Sequence, residues 1–281
     1  MTASQQRLLA SIREPNVAGG RLLTSLLHQN GIPSALWGVN AGSHYGGGLC
    51  PLDIEIAINA ADQKRVFDLL SSQGLTISTP NQYKETPILF EEWQRLAPSF
   101  SRFSDRRKAR LITPIYELPA TGDPLDDMLR PFIVVYSAEQ IGLPSIAPPT
   151  PMSESGPREP YTMLSELNPD LALPDMGSEN PQVVDCIVPS FASLLKSEMH
   201  VLLMHAEPHT PVWGQHMAKL SELVHSESCV GGPDNLEELI SDTRLEGFIA
   251  WFRGSLSGAA DYDNLDGLRA TYREKQPPHK Y

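Results

Sequence analysis

The chain has 281 residues, a formal net charge of -12 at pH 7, and 41% hydrophobic and 20% charged residues. That is an ordinary globular composition with room for one large domain or two small ones. The acidic balance argues against a general phosphate-backbone binder, whose affinity comes mainly from Lys and Arg. No run approaches the roughly 18 apolar residues of a membrane span.

The opening residues, MTASQQRLLASIREP, lack the apolar core of a signal peptide. Cys50, Cys186 and Cys229 are odd in number and far apart, a pattern that fits a reducing compartment. A cytoplasmic or nuclear location is expected. From Ala18 to Asn30, Leu22, Leu23, Leu26 and Leu27 recur at helical spacing, and Gly31 suits the left-handed helix end. Ser34 to Trp37 reads as a short strand followed by a turn at Gly38. Leu52 to Ile58 alternates with period two, so Asp53, Glu55 and Ala57 share one face and Ile54, Ile56 and Ile58 the other. Two carboxylates on one face of a buried-looking strand are costly without a cation, and a divalent metal is the simplest resolution.

Asp62 to Gln73 predicts a helix closed by Gly74, and Leu75 to Ser78 a brief strand. Phe90 to Leu96 has helical spacing. The basic loop from Ser101 to Lys108 holds Arg106, Arg107 and Lys108, either a solvated run or a clamp for a triphosphate. Ala109 to Leu118 reads as extended, and Pro114 within it predicts an edge strand or a bulge. Phe132 to Ser137 has the β-branched and aromatic content of a buried strand. Helices alternating with strands predict an α/β or α+β domain over roughly residues 15–145.

Prolines punctuate residues 144–182, which read as a linker or wrapping loop. Helices follow. Pro189 is expected as a first helical residue, a second helix is expected over Val212 to Val224, and a third from Asp234 to Gly254. The polar tail from Tyr272 to Tyr281 is expected to be loose. His200, His205, His209 and His216 cluster in sequence, but Pro208 and Pro211 interrupt the spacing that a helical metal pair needs.

The stretch SALWGVNAGSHYGGGLCPLDIEIAI resembles the nucleotidyltransferase superfamily of the polymerase-beta type, most closely the motif of tRNA nucleotidyltransferases. Gly38 stands at the first glycine, Gly46 to Gly48 at the later one, and Asp53-Ile54-Glu55 at the metal-binding acids. The whole chain is similar to a group of fungal nucleotidyltransferase-like proteins, through Ile32-Pro33, Trp37-Gly38, His44-Tyr45-Gly46, Val135-Tyr136-Ser137, Gly142-Leu143-Pro144 and Val188-Pro189-Ser190.

The resemblance implies an N-terminal nucleotidyltransferase-like mixed sheet with helices over 1–145, to which composition and periodicity add a Pro-rich linker or wrapping loop over 146–182 and a helical region over 183–281. It implies Mg²⁺ held by Asp53 and Glu55, with Glu117 as the third catalytic acid. It implies triphosphate contacts from Gly38 and Val39, or from Ser43 in an alternative Gly42-Ser43 frame, and the charge of the basic run offers Arg106 and Lys108 as further contacts. Val39 departs from the family pattern, which has Gly or Ser after the first glycine. The implied activity is transfer of a nucleotide to a small-molecule or protein hydroxyl. The alternatives are a catalytically degenerate fold acting as a binding or regulatory module, and a secondary-metabolism enzyme reusing the cleft.

Overall fold

The computed structural model describes residues 12–13, 17–77, 113–147, 160–167, 185–259 and 261–276. The expected helix over Phe90 to Leu96 and the basic loop with Arg106 and Lys108 lie outside them. The fold is mixed α/β. A seven-stranded sheet has the order β3-β4-β5-β2-β1-β7-β6, and the chain ends in a group of helices. The strands are β1 (Ser34–Leu36), β2 (Ile54–Ile58), β3 (Thr76–Ile77), β4 (Ile115–Glu117), β5 (Phe132–Ser137), β6 (Tyr161–Met163) and β7 (Ile187–Pro189). No helix among the described residues is long and apolar enough to cross a membrane.

The centre of the sheet is β5-β2-β1, whose residues are all buried. Val, Ile and Tyr dominate there because branched and aromatic side chains fill a pleated surface covered on both sides. β2 runs antiparallel to β1, with Leu36 opposite Ile56, and parallel to β5, with Glu55 opposite Val134. β7 pairs with the free side of β1. The single sheet therefore takes strands from both sides of the Pro-rich stretch, and β6 comes from within it.

Helix α1 (Val17–Gln29) covers one face of the sheet, where Gly20 lets its backbone approach Leu36 closely. The short helix α2 (Gly38–Gly42) follows β1 directly, and α3 (Gln63–Ser72) adds Val66 and Leu70 to the core. Two short helices, α4 (Pro124–Leu129) and α5 (Leu164–Leu167), lie in connections. Helices α6 (Phe191–Met204) and α7 (Pro211–Val224) pack against each other on the opposite face of the sheet. Beyond them come α8 (Leu236–Ile240), α9 (Glu246–Leu256) and α10 (Tyr262–Glu274).

Four local expectations differ from the structure. Pro189 ends strand β7, and Ser190 caps α6 by accepting from the Ser193 amide; side-chain capping outranks the preference of proline for the first turn. Pro114 precedes β4, which is flanked on both sides, and β3 forms that edge. The helix expected over 234–254 splits at Ser241 (φ 49°), because Asp242 accepts from the Arg244 amide and draws the chain into a turn. Tyr272 to Glu274 belong to α10. Arg269 of that helix makes a two-pronged ion pair with Glu207 (2.6 and 2.7 Å), and the Tyr272 hydroxyl meets His200 Nδ1 at 2.9 Å.

Candidate functional site

The Gly38 turn, α2 and the start of β2 meet α7 on one face of the sheet, and the acids expected to hold metal lie at this junction. Asp53 and Glu55 are both buried. Asp53 Oδ1 accepts the Phe132 amide at 2.8 Å, capping the first residue of β5. Glu55 Oε2 accepts the Val39 amide at 2.9 Å, and its Oε1 accepts from the Tyr136 hydroxyl at 3.2 Å. The Lys219 ammonium of α7 lies 2.5 Å from the same Oε1. The side chains of this pair are only 3% and 2% exposed. Lys219 also sits over the Trp37 indole, 4.8 Å from the ring centre, and Trp37 packs on Tyr136 with ring centres 4.3 Å apart. Asn40 fixes the strand from the other side, its Oδ1 accepting the Glu55 amide at 2.7 Å.

The glycines of the motif are tied to the same packing. Gly38 has φ 57°, and a Cβ there would overlap the Glu55 carboxylate and come within 2.9 Å of Lys219 Nζ. A side chain would thus be strained by its backbone and blocked by the ion pair. Gly42 faces Leu223 of α7, and Gly47 lies against the Gly42 carbonyl, to which it donates its amide. Gly48 donates its amide to Glu222 Oε2 at 3.2 Å.

Next to Lys219 is a second buried pair. His216 Nδ1 donates to Glu198 Oε2 at 2.6 Å, and both side chains are fully buried. Burial pushes the His216 pKa down, Glu198 pulls it up, and Lys219 pushes it down further; the net direction is downward. Glu198 Oε1 and His216 Nε2 have no hydrogen-bond partner among the described residues. Trp37 reaches this seam as well, donating its indole N–H to Ser197 Oγ at 2.9 Å.

Above the ion pair is a pocket of about 230 Å³, including its open mouth, lined by Gly38, Val39, Gly42, Ser43, Gly47, Leu49, Lys219, Glu222 and Leu223. Of the residues expected to bind nucleotide, Gly38, Val39 and Ser43 line it. The Ser43 hydroxyl donates to the Asn40 carbonyl at 3.1 Å. Glu117 stands apart: it is in register with Phe132, whose amide Asp53 caps, so two strand spacings, about 10 Å, separate it from the Asp53 strand. Its carboxylate lies 3.5 Å from Arg130.

Mg²⁺ takes oxygen ligands with available lone pairs at about 2.0–2.1 Å. Here Glu55 faces an ammonium, a hydroxyl and an amide, and Glu117 faces Arg130 from two strands away. This donor set does not fit a two-metal centre in the folded arrangement. Among the described residues no three His, Cys, Asp or Glu side chains are grouped to hold a metal ion. The clustered histidines disperse: His200 meets Tyr272, His205 Nε2 lies 2.7 Å from the Gln140 carbonyl, and His216 meets Glu198.

Lys219, Glu222, Tyr136 and the Glu198–His216 pair escaped the sequence reading of the site. One signal was available for Lys219. It falls on the stripe Val212, His216, Leu220 and Leu223 of a helix, a core position where a lysine needs a buried carboxylate. No protein-family model matches the chain, and no curated protein matches it.

Proposed function

We propose that the chain is a nucleotidyltransferase-like module that binds a ligand without transferring a nucleotide. The observation that carries this is the Lys219 ammonium, 2.5 Å from Glu55 Oε1 with both side chains buried. A tethered cation from α7 stands against the carboxylate that the family resemblance assigns to metal, and the Val39 amide occupies its other oxygen. The motif glycines serve this packing, which accounts for them without a bound phosphate.

Mg²⁺-dependent nucleotide transfer is the second reading. It is favoured by the placement of Asp53 and Glu55 beside a pocket lined by Gly38, Val39 and Ser43, and it requires α7 to withdraw Lys219 from Glu55. Titration calorimetry with ATP, GTP, CTP and UTP, with and without Mg²⁺, separates the two. The module reading expects no metal-dependent heat from the wild type. Metal-dependent nucleotide binding that disappears in Asp53→Ala/Glu55→Ala would overturn it.

A further inference from the structure

We propose that helix α10 is a strap that opens as one unit while the sheet stays folded, with Glu207 as the clip that holds it closed over His200 and the end of α6. This does not depend on the module reading. Three observations lead to it.

The first is how little apolar surface holds the helix. Of its residues, Leu265, Arg269 and Tyr272 are buried, and Leu268 lies against Gly247 of α9. Helix α6, by contrast, buries Leu194, Leu195, Met199, Val201, Leu202 and Leu203. Elements with few buried apolar contacts are the ones that open locally.

The second is that the docking is polar and converges on one carboxylate. The Arg269 side chain is 3% exposed, and both of its terminal nitrogens go to Glu207, which is 64% exposed. Arg273 Nη2 reaches the same carboxylate at 3.5 Å. Arg269 Nε and Arg273 Nε donate to the Leu203 carbonyl at 3.4 and 3.2 Å, and Arg273 Nη2 to the Met204 carbonyl at 3.1 Å, which caps the last turn of α6. Asp266, 3.8 Å from Arg269, sits on α10 itself and is 85% exposed, so it adds nothing across the interface. Without the charge of Glu207 the buried guanidinium loses its counter-ion in the body of the protein.

The third is the connection. Gly258, in the turn between α9 and α10, has φ 77° and open space around it. The Trp251 indole donates to the Asp261 carbonyl at 3.0 Å, which tethers the start of the strap. Once undocked, a helix of 13 residues with Gly267 in its interior is not held by its own propensity. Its amides are then exposed together, and His200, buried beneath the Tyr272 hydroxyl at 2.9 Å, is uncovered with them.

The test is native-state hydrogen exchange on the full chain, with carbethoxylation of His200 by diethyl pyrocarbonate as a second readout. The amides of α10 are expected to exchange as a group, roughly tenfold or more faster than those of β5 after correction for intrinsic rates. In Glu207→Gln the α10 rate is expected to rise roughly tenfold or more and His200 labelling with it, while β5 keeps its rate. Asp266→Asn is expected to stay within about twofold of the wild type. One shared opening rate for α10 and β5 would overturn the strap, as would exchange that creeps in from the end of the helix with His200 unlabelled. An unchanged α10 rate in Glu207→Gln, or an equal acceleration of β5, would overturn the role of the clip.

Discussion

On one face of β2, Ile54, Ile56 and Ile58 join Leu36 and the leucines of α1 in a mainly apolar contact with no ion pair among the described residues. On the other face of the same strand, Glu55 meets Lys219, Tyr136 and Trp37, and Glu198 and His216 extend the seam along α6 and α7. The burial is equal and the chemistry opposite. An apolar face is held by area removed from water, is non-directional and tolerates small shifts. A buried ionic face is held only while its charges are matched, so it constrains where α7 can sit. The contrast implies that the face beneath α7 is the specific one and the face beneath α1 the forgiving one.

The largest expected effect is on the ionic face. Lys219→Met strands the Glu55 carboxylate in the core and is expected to cost about 3–5 kcal/mol in a urea-unfolding measurement. Adding Glu55→Gln should restore most of that loss, because the buried charge is then gone while an acceptor for Val39 remains. A single-variant cost below about 1 kcal/mol, the range of solvated pairs, would erase the distinction between the two faces.

Gly38→Ala comes next, at about 1–3 kcal/mol, since alanine must hold φ 57° and displace the ion pair. A neutral outcome by thermal unfolding would show that the turn can relax away from Glu55.

The pH dependence is the third way to sharpen the contrast. The His216 pKa is lowered in the folded chain from its ordinary 6.5. Between the folded and unfolded values the unfolded chain holds more protons. The contribution of His216 is therefore fully present above about pH 6.5 and is lost as pH falls toward the folded value, at up to about 1.4 kcal/mol per unit. Glu198, Lys219 and Glu55 face this ring, and burial outweighs the opposing pull of Glu198. His28 and His44 are also pushed down by burial, so the diagnostic quantity is the difference in slope between wild type and His216→Gln, which should be shallower. Identical slopes would remove His216 from the acid response.

The smallest effect belongs to the apolar face. Ile56→Val is expected to cost about 0.5–1.5 kcal/mol by denaturant unfolding, independent of pH. A pH-dependent cost would mean that the two faces are coupled through the strand.

Much of the architecture was legible in the sequence because it depends on local periodicity. The helix over Ala18 to Asn30, the Gly38 turn, the alternation of β2, the strand Phe132 to Ser137 and the helix over Val212 to Val224 follow from side-chain spacing, and each is present. The elements that did not follow depend on partners distant in the chain. Helix α10 carries a polar sequence and is anchored through Arg269 to Glu207 and Tyr272 to His200. The placement of β7 beside β1 joins residues about 150 positions apart.

The site divides in the same way. The sequence alone determined that Asp53 and Glu55 alternate on one strand after a glycine turn and need a positive partner, because period two and the cost of burying carboxylates are local facts. Which cation answers that need was decided by tertiary structure. Helix α7 brings Lys219 to Glu55 across 164 positions of chain, while Glu117 falls two strands away beside Arg130. A carboxylate pattern on a strand is the same whether a metal or a lysine completes it, and only the packing of a remote helix distinguishes the two.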